Sequence, residues 1–371
     1  MAYSNTTGKT KINVDQLISY AFRDAGQTAE EMTPEYVNAG KQALFYNLQN
    51  LSNLGVNLWL LENKLVGAVE AQQYLTLPAT TIDVREANWV YIINSQAAEY
   101  LPVDNTLSPA AFEQNLNLVA TSTLAKNYLG LQYDLAQPVF YVGWNGYAQP
   151  NQTTTYNLIY EVSDDGIVWT TIQQFPETTL ADREWVYFNI SITPNHLYYR
   201  LRNVSTTETF SVRQIVFSTS QQVIPLARLN RDDYWNLPNK QFPSARALQY
   251  WYDRQIEPKM YLWPVPNNDF QMFQLVIEKQ MQDVGSLTNE LYIPDRWINA
   301  VQASLSHRLS MQIPGVDGGK IAYLEGQADK LFMQANNEER DKSPIYFQPN
   351  ISYYTRWPAH TRWRMITSYK T

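Results

Sequence analysis

The chain holds 371 residues with a formal net charge of −7 and no cysteine. That length suffices for about two or three domains with separate cores, while the acidity excludes gripping nucleic acid through a broad basic face and the missing thiols exclude a disulfide framework, a thiol nucleophile and a thiolate metal site. The polar opening MAYSNTTGKTK lacks a signal-peptide core and no window approaches the roughly 20 apolar residues that cross a bilayer, so a soluble protein made in the cytoplasm, without membrane contact, is expected.

Asn13 is a helix cap, Val14, Leu17, Ile18, Ala21 and Phe22 recur at helical spacing, and Gly26 supplies a left-handed stop, which predicts a helix over 13–26. Thr33 and Pro34 open a second, 33–55, with Val37, Leu44, Leu48 and Leu51 on one stripe. The pattern then turns to strands: an apolar run at 58–61, an alternating one at 74–77 and another at 89–93. From 94 to 222 the composition moves to Thr, Asn, Gln, Tyr and Val with few charges. Short strands separated by turns there predict an inserted all-β, jelly-roll-like sandwich, its clearest piece being a hairpin about Asp165-Gly166.

The stretch 229–266 reads as paired strands. Tyr250, Tyr252 and Arg254 share one face and Trp251, Asp253 and Gln255 the other, since strand side chains alternate. Tyr and Arg are enriched at interface centres, so Tyr250, Tyr252 and Arg254 are the candidate subunit-interface residues. A strand at 270–277 and helices over 295–313 and 317–339 come next, the latter pair expected to pack on the N-terminal hairpin as a four-helix layer. The fold class is therefore α+β: about four helices and an antiparallel β-domain, the inserted sandwich, and an extended C-terminal tail. Residues 346–371 mix basic and aromatic side chains too densely for a disordered tail, so they are expected to dock on a partner or on the body.

Nothing in the chain has the spacing of a catalytic or metal site. His196, His307 and His360 lie far apart, and the neighbours Asp164-Asp165 and Asp232-Asp233 point to opposite sides of an extended chain. The GVDGG run at 315–319 has no P-loop lysine. No enzyme, no cofactor and no metal are expected.

In chain order, NVDQLISYAFRDAG, LWLLENK, QYLTLP, LARLNRDDYWNLPNK, YWYDRQIEPKMYLWPVPN, IPDRWINAVQASLSHRLS and DKSP resemble the head-to-tail adaptor, or connector, proteins of short-tailed bacteriophages. The resemblance implies a discontinuous core of residues 1–93 and 223–345 and a place in the virion neck, assembled in the host cytoplasm. It further implies a ring of copies, twelve in that family, between the portal protein and the tail nozzle, with tail fibre proteins alongside. DNA would pass through the channel during ejection without sequence-specific binding. The C-terminal arm would dock on the portal, a role that falls on Tyr353, Tyr354, Arg356, Trp357, Arg362, Trp363 and Arg364.

Within 94–222, LQYDL, SDDGIVW and YRLR resemble a discoidin-like, galactose-binding-like sandwich. Such modules often bind sugars on loops at one end, which makes Trp144 and Tyr147, placed in a loop at 144–150, candidate glycan contacts. The alternative function is accordingly a carbohydrate-binding tail or cell-surface protein.

Overall fold

A computed structural model describes residues 12–27, 33–53, 58–92, 99–100, 109–113, 115–191, 195–205, 208–220 and 222–339. The candidate portal-docking residues Tyr353, Tyr354, Arg356, Trp357, Arg362, Trp363 and Arg364 lie outside these. The architecture is α+β, with mostly antiparallel sheets and five helices among the described residues.

Helix α1 is Val14–Ala25. Asn13 Oδ1 accepts the Gln16 N–H at 2.8 Å and Gln16 Oε1 accepts the Asn13 N–H at 3.4 Å, a reciprocal cap that satisfies two otherwise orphaned donors. Gly26 closes it at φ 108°, a conformation that L side chains rarely adopt. Helix α2 is Pro34–Asn53. After a short helix α3, Arg231–Trp235, come α4, Asp295–Ser310, and α5, Gly318–Glu339. Leu17, Ile18 and Phe22 of α1, Leu44 and Leu48 of α2, and Val301, Leu305 and Leu309 of α4 bury one apolar cluster. On its other side α4 packs Trp297 against Phe332 of α5.

Two four-stranded sheets face each other beside these helices. The first runs in the order Leu61–Ala68, Gln271–Lys279, Thr81–Val90, Val223–Pro225; the second in the order Ala227–Arg228, Gln249–Asp253, Lys259–Trp263, Tyr74–Thr76. Between them lie Val84, Phe273, Leu275 and Ile277 from one and Leu75, Tyr250, Tyr252, Met260 and Leu262 from the other. Two sequence expectations change here. The run at 58–61 is a 3₁₀ turn, Leu58–Leu60, whose Leu60 enters the helical cluster, and the strand begins only at Leu61. The 229–266 stretch opens with α3 rather than a strand, because the Asn230 side chain accepts the Asp233 N–H at 2.8 Å and caps a turn of helix.

The strands between 99 and 218 form a second body with its own core. A five-stranded sheet, Thr170–Gln174, Leu158–Ser163, His196–Asn203, Tyr128–Gln137, Glu99–Tyr100, covers a four-stranded one, Trp185–Asn189, Tyr141–Gly146, Ser211–Ser218, Ala120–Thr121. Trp144, Tyr156, Tyr160, Phe175, Tyr199 and Phe217 fill the space between.

This sandwich is seated on the first sheet of the core. Tyr141, Trp185, Tyr187 and Val216 share a buried cluster with Val90 and Met272, and the Trp185 indole N–H donates to the Asp269 carbonyl at 2.9 Å. Gly67 lies directly under Trp185: a Cβ there would stand 2.3 Å from the tryptophan Cβ, so only glycine permits this approach.

Candidate functional site

Alternation in Gln249–Asp253 and Lys259–Trp263 sends Tyr250, Tyr252, Met260 and Leu262 inward and leaves Trp251 and Tyr261 on the outer face. Trp251 stands opposite Tyr261, and Tyr261 opposite Tyr74, so three aromatic rings cross the sheet in register. Their centroids are 5.0 Å apart for Trp251–Tyr261 and 5.6 Å for Tyr74–Tyr261. Helix α3 lays Tyr234 on Trp251, stacked at 5.1 Å, with Gln73 Nε2 donating to the Tyr234 hydroxyl at 3.0 Å. Trp235 is 56% exposed and Tyr74 39%. Lys240 lies over the Trp235 ring and Lys259 over the Tyr74 ring. The result is a stacked aromatic platform anchored at its middle, open at its rims and edged with cations.

Of the candidate interface residues, Tyr250 and Tyr252 are therefore corrected, whereas Arg254 stays exposed at the sheet edge. Both tyrosines are buried between the sheets, where the Tyr252 hydroxyl donates to the Thr81 carbonyl at 2.8 Å. Burial, with the nearby Asp83 charge adding, pushes the Tyr252 phenol up to about 12, so it stays protonated. The Arg254 guanidinium turns to Asp83, 2.6 Å away. Asp83 is the hub of this edge: its carboxylate, 2% exposed, also takes Arg228 at 2.8 Å and Arg85 at 3.8 Å and accepts the Val84 N–H at 2.9 Å. Burial works against the Arg228 charge, yet the Asp83 hydrogen bond and charge outweigh it and hold the guanidinium above its ordinary pKa.

In the sandwich, Trp144 belongs to the strand Tyr141–Gly146 rather than to a loop. It is 0% exposed, its ring against Tyr156, Phe175 and Phe188, and no glycan reaches it in the folded protein. Tyr147 is half-buried at the end of that strand, with the Arg213 guanidinium 5.2 Å over its ring. Arg213 is itself engaged by both Asp182 oxygens at 2.7 and 2.9 Å and by the Leu116 carbonyl at 2.7 Å. Beside this rim Thr154, Thr155, Asn157, Glu177, Asn203 and Glu208 line a polar cleft of about 330 Å³.

Across the five-stranded sheet, buried Glu161 receives Arg200 Nε at 2.7 Å and Arg202 Nη2 at 2.9 Å, and Arg200 lies 3.8 Å over the Trp169 ring. Burial alone would raise the Glu161 pKa; the hydrogen bonds from Arg202 and Arg200 outweigh it and hold the carboxyl below its ordinary value. A carboxyl that titrates lower in the folded than in the unfolded chain stabilises the fold above the unfolded value, and that contribution is lost as pH falls through the folded one. Glu161→Gln is thus expected to destabilise most at neutral pH and progressively less as pH falls below the ordinary carboxylate range; urea midpoints showing a constant deficit from neutral pH into that acid range would contradict the assignment.

Among the described residues no three His, Cys, Asp or Glu side chains gather as a metal site. His196 Nδ1 meets Asp164 Oδ1 at 2.7 Å on the surface.

No family model and no curated protein matches this chain. Among solved structures, it is similar to an F5/8 type C domain from Bacteroides fragilis, with 14% identity, TM-score 0.31, and coverage of 36% of this chain and 98% of that one. It is similar also to the CBM32 module CpGH89CBM32-6 of Clostridium perfringens, at 11% identity, TM-score 0.27, and 33% and 91% coverage. A fucose binding module of Streptococcus pneumoniae stands beside these at 12% identity, TM-score 0.26, and 35% and 96% coverage. Each of these covers about a third of this chain; the adaptor likeness of the core finds no counterpart among family models or curated proteins.

Proposed function

We propose that this protein is a non-catalytic assembly component, a head-to-tail adaptor of a phage virion, in which the aromatic platform of one copy meets the next copy in a ring. The observation that carries this reading is the platform itself: Trp235 and Tyr74 remain exposed at the rims of a five-ring stack whose inner members, Tyr234 and Trp251, are already rigid. Large aromatic side chains held in fixed rotamers are the groups that dominate protein interfaces, because little entropy is left to lose when a partner covers them. Portal, nozzle and fibre proteins as further partners, and the arm residues beyond 349 as the portal contact, belong to the same proposal.

The double variant Trp235→Glu, Tyr74→Glu is expected to stay folded, losing about 1–3 kcal/mol with the ring contacts it removes, and to lose ring formation on added portal in negative stain, whereas Lys64→Glu, a charge reversal on the other sheet, keeps it. Rings of normal abundance from the double variant would end the proposal.

A second reading, carbohydrate binding through the sandwich, is favoured by the polar cleft beside Tyr147, whose amide, hydroxyl and carboxylate groups suit sugar hydroxyls. It is tested by a glycan array of the whole protein with Glu177→Ala and Glu208→Ala as variants. Binding lost in these variants supports it, and no binding by the parent removes it.

A further inference from the structure

Where α1, α4 and the loop before α4 meet, Leu17, Trp59, Ile293, Pro294, Ile298 and Val301 line a half-open, mainly apolar cavity of about 350 Å³, with Glu290 and Asp295 also on its wall. That is the size at which protein cavities take up a small ligand or a few side chains. The Trp59 indole N–H beside it is buried without a hydrogen-bond partner among the described residues, an arrangement that an acceptor entering the cavity would relieve.

The end of α5 leads to this same place. The Glu339 carboxylate accepts from Arg296 Nε at 2.8 Å and from the Trp297 indole at 3.3 Å. Trp297 in turn packs on Trp59 of the cavity wall, their ring centroids 5.3 Å apart, so the end of α5 and the cavity share the neighbourhood of these two indoles. From there the sequence continues RDKSPIYFQP, with Ile345, Tyr346 and Phe347 set between Pro344 and Pro349. Six to eight residues of extended chain reach on the order of 20 Å. The other terminal stretch joins the cavity wall at Ile12 through the polar run Thr6, Thr7, Gly8, Lys9, Thr10 and Lys11, with Tyr3 the nearest aromatic residue in sequence.

We propose that Ile345, Tyr346 and Phe347 of the same chain occupy this cavity, with a backbone carbonyl of the segment accepting the Trp59 N–H. The apolar triplet becomes the clasp of the C-terminal arm, and everything beyond Pro349 leaves the body from a fixed point. This stands whether or not the arm then binds a portal.

The absence of cysteine allows a direct test in the full chain. Ile298→Cys is paired in turn with Ile345→Cys, Tyr346→Cys and Phe347→Cys, oxidised in dilute solution, and mapped by mass spectrometry. The expected product is a disulfide within a species of monomer mass for at least one pair. A covalent dimer would assign the cavity to the arm of a second copy, a faster bond between Ile298→Cys and Tyr3→Cys would assign it to the N-terminal stretch, and no bond from any arm position would leave the triplet elsewhere; each overturns the proposal. As a separate readout, truncation after Arg340 is expected to raise binding of a hydrophobic dye several-fold, whereas truncation after Pro349 leaves it unchanged. Equal dye binding by the two truncations would equally overturn it, and neither readout depends on portal or ring formation.

Discussion

Trp144→Ala is expected to destabilise the sandwich by about 3–5 kcal/mol, the range for deleting a large aromatic side chain from a packed core. The residue is 0% exposed and its ring lies 5.4 Å from both Phe175 and Phe188, so the loss is of volume that the facing sheets close only in part. Trp144→Phe makes the contrast. It keeps most of the packing and removes an indole N–H that is buried without a partner among the described residues, so it is expected to cost far less. Urea unfolding of both variants checks this. A Trp144→Ala protein of parental stability that merely lost a ligand would put the residue back on the surface.

Asp83→Ala is expected to be the most damaging single change in the core outside its apolar positions. Removing one partner of a buried ion pair costs about 3–5 kcal/mol because the other charges stay behind. Here the three arginines are between 37% and 61% exposed and can turn back to water, so about 2–3 kcal/mol is the expected loss. Arg254→Ala, which leaves Asp83 with two guanidinium partners, is expected to lose less than about 1 kcal/mol. Chemical denaturation of the pair orders the two effects, and equal losses would mean that Asp83 is not the hub. The lesion should open the sheet edge where Arg228 and Arg254 reach across to Asp83 and so loosen the platform behind it.

The helices are legible in the sequence because their signals are local. Asn13 with Gln16, Thr33 with Pro34, and Gly26 mark their ends by the hydrogen bonds they make or cannot make. The platform is only half legible. Alternation separates Tyr250, Tyr252 and Arg254 from Trp251, but parity says nothing about which set faces inward. That is decided by Leu262 and Met260 standing opposite Tyr250 and Tyr252, and by Val84 and Phe273 on the facing sheet, contacts that arise only when distant strands meet. Tyr234 and Trp235 are hidden because the NRDDYW run reads as strand beside its β-rich neighbours, although Asn230 and Asp233 carry a helix cap's spacing. Trp144 is misleading for a related reason: its flanking glycines, usually turn residues, here make room for neighbours, a Cβ at Gly143 falling 2.2 Å from the Tyr187 ring.

The seat of Trp185 on Gly67 has a mechanical consequence. With the indole clasped to the Asp269 carbonyl and set where no side chain fits beneath it, the sandwich is fastened to the sheet at this point. A pull on the outer module is therefore expected to load the paired strands Leu61–Ala68 and Gln271–Lys279 through this contact, as a lever arm would.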